Sequence, residues 1–198
     1  MPIRIAIFAS GRGSNTREII RYFHEAGHKV LDRPVEISLI VCNKPGAGVL
    51  DIAAKSGIPV LLMEKEKFFR GSHYLEEFRD RSISFIVLAG FLWKIPPELI
   101  GAYPGRILNI HPALLPNYGG KGMYGDAVHE AVIAARERES GISIHYVDEQ
   151  YDHGRIFFQA SFNLSPDETA AGLAGKIHAL EHKHYPEQIA RWVERILE

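Results

Sequence analysis

The feature that most constrains this chain is a rhythm: up to about residue 110, short apolar runs alternate with segments of helical spacing. Ile3 to Ala9 is one such run, followed by the loop SGRGSN (10–15) and by TREIIRYFHEA, whose apolar positions recur every three or four residues. Val35 to Cys42 gives a second strand, closed by the turn cluster Asn43-Lys44-Pro45-Gly46. Val49 to Lys55 reads as a helix stopped at Gly57, and Ile58 to Met63 as a third strand. Ser72 is placed to cap a helix carrying Tyr74, Leu75 and Phe78 on one face. Ser84 to Gly90 is apolar throughout, as a strand buried on both sides is. Pro96-Pro97 opens a short helix, because proline fits a first turn. This alternation predicts an α/β, Rossmann-like architecture: a mainly parallel sheet with flanking helices.

Beyond residue 110 the rhythm changes. Ala127 to Arg138 predicts a helix with Gly141 just beyond its end. Ile142 to Val147 and Arg155 to Phe162 read as two strands joined by a polar turn, DEQYDHGR, and so as an antiparallel C-terminal extension of the sheet. Thr169 to Leu180 and Pro186 to Leu197 predict two further helices, with Trp192, Val193 and Ile196 able to pack on the core. A length of 198 residues without repeat or linker suits one domain spanning 1–198. Composition limits the partners: 46% hydrophobic and 24% charged residues with a formal net charge of −1 favour neither a nucleic acid nor a membrane. Cys42 is the sole cysteine, so no internal disulfide forms. The N-terminus lacks the long apolar core of a signal peptide, and the expected compartment is the cytoplasm.

The chemistry is expected in Arg106 to Asp126, where a buried strand (Arg106 to Ile110) runs into His111-Pro112 and a loop rich in Pro, Gly, Asn and Tyr. Loops leaving the carboxyl ends of central strands are where α/β proteins bind ligands. Asn109 and His111 lie two apart, hence on one face of a strand. One is a neutral amide donor able to hold an oxyanion, the other an acid–base group near neutral pH. A histidine at a strand end is also a common structural hydrogen-bonder. Asp152, in the turn Tyr151-Asp152-His153-Gly154, can supply a carboxylate to raise the imidazole pKa, or can simply shape the turn.

Two further stretches have paired readings. SGRGSN sits between a strand and a helix, where glycine allows close backbone approach and helical N–H groups attract a phosphate. It is neither the dinucleotide fingerprint nor a Walker loop, so Gly13, Ser14 and Asn15 suggest a single phosphate ester, or a helix cap. The apolar loop Ala89 to Ile95 would suit a flat heteroaromatic ring, or Leu92 and Trp93 are core. His178, Glu181, His182 and His184 lack any cysteine or HExxH context, so a solvated helix end is favoured over a metal site.

Taken together, SGRGSN, VLAGFLWKIP, NIHPALLP, YDHGRIFFQA and LEHKHYP resemble, over nearly the whole chain, the phosphoribosylglycinamide formyltransferases of the formyltetrahydrofolate-dependent transferase family. The resemblance implies one formyltransferase domain and a step of purine synthesis. The amine of glycinamide ribonucleotide would attack the formyl carbon of the co-substrate 10-formyltetrahydrofolate, and a tetrahedral intermediate would collapse to release tetrahydrofolate. It implies that Asn109 stabilises the oxyanion, that His111 acts protonated, and that Asp152 keeps it so. Gly13, Ser14 and Asn15 match the phosphate loop. Leu92, Trp93, Lys94 and Ile95, with Asn109, match the pterin-binding segment. Glu181 matches a ribose- or phosphate-side contact, His178 a position where relatives often carry an amide, and Leu115-Pro116 a cis-proline position. No metal is implied, and the assembly is a monomer or homodimer.

The chain departs from that pattern in two places. NYGGKGMYGDAVHEA follows Pro116, putting Lys121 and Tyr124 on the rim of a loop rich in glycine. The family's arginine before the helix near residue 74 has Arg70 as its nearest counterpart, although alignment on Tyr74 gives that slot to Gly71. Sister enzymes, such as a formyltetrahydrofolate deformylase, a methionyl-tRNA formyltransferase or an amino-sugar formyltransferase, are the nearest rivals. The first two usually carry an extra domain, and this chain is expected to lack one. A non-catalytic nucleotide-binding module is the rival from a different class.

Overall fold

A computed structural model describes residues 1–70 and 72–198. The described residues form eight strands and seven helices, in the order β1 (Ile3–Ala9), α1 (Ser14–Ile20), β2 (Lys29–Val30), β3 (Arg33–Cys42), α2 (Val49–Lys55), β4 (Val60–Leu62), α3 (Lys65–Phe69), α4 (Leu75–Asp80), β5 (Phe85–Leu88), α5 (Pro97–Ala102), β6 (Ile107–His111), α6 (Asp126–Ala134), β7 (Glu139–Tyr146), β8 (Ile156–Asn163) and α7 (Ala170–Leu197). They share one sheet in the order β2-β3-β1-β5-β6-β7-β8, with β4 also paired to β3. The pairs β1–β3, β1–β5, β3–β4 and β5–β6 are parallel, and β6–β7 and β7–β8 antiparallel. The expected parallel sheet with an antiparallel C-terminal extension is the one found.

Strict alternation along the central strands separates two apolar layers. Ile3, Ile5, Ile7, Leu108 and Ile110 face helices α1, α2, α6 and α7 through Ile19, Ala53, Val132, Ile177 and Trp192. Ala6, Phe8, Ile86 and Ile107 face α3, α4 and α5 through Phe68, Phe78, Leu99 and Tyr103. Each face of the sheet is thus covered by helices, which is why the inner strands are apolar without interruption. Cys42 ends β3 in the first layer, fully buried, with its thiol donating to the Lys44 carbonyl at 3.3 Å. Among the described residues, no helix is long and apolar enough to cross a membrane.

The structure corrects several boundaries. The first helical stretch passes after Ile20 into a π-helical turn, Arg21–Glu25, where His24 Nε2 accepts the Ile37 N–H at 2.8 Å. The short strands and helices β2 and α3 have too few residues to show a period. Ser72 is not a cap: α4 starts after Tyr74, without a side-chain capping bond, and Ser72 only offers its carbonyl to the Leu75 N–H. Gly141 lies inside β7 rather than just after a helix, so close to β8 that a Cβ there would meet the Ala160 carbonyl oxygen at 2.0 Å. The two predicted C-terminal helices are one, α7, with Pro186 in its interior. An interior proline removes a hydrogen bond and costs about 3 kcal/mol. Burial of Tyr185, Ile189, Trp192 and Val193, each worth roughly 1.5–3 kcal/mol, holds the helix together across it.

Candidate active site

The chain crosses from one side of the sheet to the other after β4, so the carboxyl ends of β1 and β5 face a topological switch point. Their loops are tied together there: the Ser10 N–H donates to the Gly90 carbonyl, and the Leu92 N–H to Ser10 Oγ, both at 3.0 Å. A cleft of about 760 Å³ opens above them and extends over the end of β6. Its walls include the glycine loop, Ala89 to Leu92, Asn109 to Pro112, Gly120 to Asp126, Asp152, His178 and Glu181.

β6 presents Asn109 and His111 on one face, as their spacing predicts, with His111 only 3% exposed. Antiparallel pairing sets His145 opposite Asn109 and Ser143 opposite His111. The connection after β7 folds back so that Asp152, in left-handed backbone conformation with φ 55°, reaches the same spot. Asp152 Oδ2 lies 3.6 Å from His111 Nδ1 and accepts the Gly120 N–H at 2.9 Å. The structure therefore brings together the three residues that sequence spacing alone could not join.

Hydrogen bonds decide which atoms remain free. His111 Nε2–H donates to the Tyr118 carbonyl at 2.8 Å, leaving Nδ1 as the nitrogen turned towards Asp152. His145 Nδ1–H donates to the Tyr146 carbonyl at 2.8 Å, so its Nε2 accepts from Asn109 Nδ2 at 2.9 Å. The second Asn109 amide hydrogen meets only Asp152 Oδ1, at 3.5 Å, and is available to another acceptor. Behind the pair, Ser143 Oγ donates to the Ala113 carbonyl and accepts the Leu115 N–H, fixing the turn that ends in the cis Leu115–Pro116 bond.

Electrostatics bear on the protonated His111 that the resemblance implies. Burial lowers the His111 pKa, and outweighs the Asp152 carboxylate and the Tyr118 carbonyl, which raise it. The net shift favours the neutral ring when the cleft holds no substrate. Burial pushes the Asp152 carboxyl up, but contacts with His145, the His111 ring and the Gly120 N–H together hold it below the ordinary carboxylate range. The site pairs a neutral imidazole with an ionised carboxylate.

At the other end of the cleft, Gly13 adopts φ 77° against Val49, where a Cβ would come within 2.9 Å, and α1 begins at Ser14. No side chain caps α1, so Ser14 is not spent as a helix cap. Asn15 Nδ2 donates instead to Glu181 Oε2 at 2.9 Å, and Asn15 Oδ1 is buried without a partner. Burial raises the Glu181 pKa, against the Asn15 hydrogen bond and His178. Arg12 and Lys44, exposed on the same wall, add positive charge beside the loop.

Other expected residues go elsewhere. Leu92 lines the cleft with Ala89, Gly90 and Phe91, but Trp93 packs on Phe68, Phe69 and Phe91, and Ile95 is buried in the second apolar layer. Lys94 is exposed and, like those two, is not part of the cleft wall. Arg70 ends α3, exposed, and does not line the cleft either; Gly71 lies outside the described residues. His178 and His182 stack at 6.3 Å, but among the described residues no group of three or more His, Cys, Asp or Glu is placed to hold a metal ion. Sequence reasoning missed His145, Ser143 and His129. For the first two, a signal exists: two polar residues at alternate positions of an otherwise buried strand must share a face and a purpose. For His129, on a helix beside charged neighbours, none does.

Comparison with known proteins places the chain in a family. The formyl transferase profile matches residues 3–189. The chain is 42% identical over 193 residues to the chloroplastic phosphoribosylglycinamide formyltransferase of Arabidopsis thaliana, covering 94% of this chain and 64% of that protein. It therefore spans just under two thirds of that plant relative. The phosphoribosylglycinamide formyltransferase of Bacillus subtilis is 35% identical, with 94% of this chain and 92% of that protein covered. A crystal structure of the Bacillus halodurans phosphoribosylglycinamide formyltransferase superposes with a TM-score of 0.85 at 36% identity, covering 98% of this chain and 96% of the other. The chain belongs to the formyl transferase family.

Proposed function

We propose that this protein transfers the formyl group of 10-formyltetrahydrofolate to the amine of glycinamide ribonucleotide. The observation that carries the reading is the meeting of Asn109, His111 and Asp152 in one cleft whose far end is the glycine loop. The choice of acceptor is supported by relatives bearing the name phosphoribosylglycinamide formyltransferase.

In this mechanism the acceptor's phosphate lies against Gly13, Ser14 and Asn15, with Arg12 and Lys44 beside it, and its sugar meets Glu181 and His178. The donor ring lies along Ala89 to Leu92, which line the cleft just past the end of β5. The amine nitrogen adds to the formyl carbon, and the carbonyl electron pair becomes an oxyanion. The loosely held Asn109 amide hydrogen turns to that oxyanion, which strengthens as charge develops and so lowers the barrier rather than merely binding substrate. His111 Nδ1 takes the proton that the attacking nitrogen must lose. The imidazolium so formed faces the Asp152 carboxylate, which stabilises it most at the moment it appears. The same proton passes to the donor nitrogen as its carbon–nitrogen bond breaks, releasing tetrahydrofolate and returning His111 to its neutral form.

Purified protein assayed with 10-formyltetrahydrofolate is expected to release tetrahydrofolate only when glycinamide ribonucleotide is present. Release without the amine would make it a hydrolase, and no release in either case would leave a binding module.

A further inference from the structure

His129 stands in the first turn of α6, 4% exposed, on the wall of the cleft. Its Nδ1 is buried and has no hydrogen-bond partner. More than nine in ten buried polar groups are paired, and leaving one unpaired costs as much as losing a hydrogen bond. A second orphan, Asn15 Oδ1, lies on the same cleft wall. Both atoms belong to residues that line the cleft, so a polar molecule bound there can supply the missing partners once the side chains turn slightly towards it.

The neighbours of His129 say which part of that molecule it meets. Its ring feels His178, at the acceptor end, and His111, at the reaction centre, together with Asp126. It lines the same cleft as His178 and His111. Burial first, and then His178, lower its pKa against Asp126, so the ring is neutral. A neutral imidazole donates from one nitrogen and accepts at the other, which matches hydroxyl and amide groups better than a phosphate.

We infer that His129 recognises the acceptor, hydrogen-bonding the hydroxyl- and amide-bearing segment that joins its phosphate to its reactive amine. The inference rests on the functional reading above and adds to it a residue that contacts substrate without taking part in proton transfer.

His129→Leu and His129→Gln, compared with the unaltered protein, test it. In His129→Leu the KM for glycinamide ribonucleotide is expected to rise about tenfold, the effect of one hydrogen bond to a buried neutral group. The KM for 10-formyltetrahydrofolate should stay within twofold, and the melting temperature should not fall, because an unpaired polar atom has been removed. His129→Gln, which can still donate and accept, should recover most of the acceptor affinity. An unchanged acceptor KM in His129→Leu overturns the inference, as does a lowered melting temperature with both KM values intact, which would mark a structural residue. If the unaltered protein transfers no formyl group to glycinamide ribonucleotide, the functional reading fails and this inference with it; if it does and His129→Leu matches it, only the inference fails.

Discussion

Two opposed influences act on the His111 imidazole, burial and the Asp152 carboxylate, and burial is the larger. The balance makes His111 a proton carrier during turnover rather than a fixed cation. Its partner should then matter as much as the ring itself. His111→Ala and Asp152→Asn are each expected to lower kcat by about 10²–10⁴-fold, the usual range for general acid–base groups. Donor binding, followed by folate fluorescence, should survive in both. Turnover within a few-fold of normal in either variant would remove the assigned role. Residue types and spacing made Asn109 and His111 legible, since two strand positions share a face whatever the fold. Asp152 was legible as a candidate carboxylate, but its place beside His111 only through resemblance, because a contact 41 positions away depends on how the β7–β8 connection folds back. The downward shift of the His111 pKa was not legible at all: burial is a property of the packed molecule, not of the residues near it in sequence.

At the level of elements, α7 does more than cover the sheet. Tyr185 is fully buried, and its hydroxyl lies 2.9 Å from the Leu88 carbonyl and 3.2 Å from that of Leu108. It bridges β5 and β6 just below the two loops that form the cleft floor. Tyr185→Phe should lower stability by about 1–2 kcal/mol, the cost of a buried carbonyl left without its donor. Because the strand ends carry Gly90 and Asn109, activity should fall even under conditions where the variant is fully folded. Thermal denaturation and steady-state kinetics on the same preparation check both halves. The split of α7 expected at Pro186 shows where element reading stops: proline predicts a break from local sterics, whereas buried contacts on both sides of it carry the helix through. The strands β1, β3, β5 and β6 were legible because each is an apolar run long enough to be unambiguous. By contrast β2, at two residues, has no pattern to read.

Across the whole molecule, burial depresses the pKa of His24, His111, His129, His182 and His184. The sign of the pH effect follows. Below about 6.5, the ordinary histidine value, the unfolded chain takes up protons that the folded chain refuses. The histidine contribution is therefore complete above that pH and is lost as pH falls towards the depressed folded values. His24 adds a specific reason, since a protonated ring cannot accept the Ile37 N–H. The melting temperature is expected to drop between pH 7.5 and pH 5.5, and less steeply in His24→Gln, whose amide oxygen can accept that bond at any pH. An equal slope in the two proteins would place the acid sensitivity elsewhere.

The two-layer core also isolates the chain's single thiol. Cys42 is sealed at the end of β3, out of reach of reagents in the folded state. A cysteine placed at Lys121, exposed on the cleft rim, would then be the sole addressable sulfur without any prior removal of the native one. The protein is in this sense ready for site-selective fluorophore attachment, and the glycine-rich rim becomes a place where a dye can report on what enters the cleft.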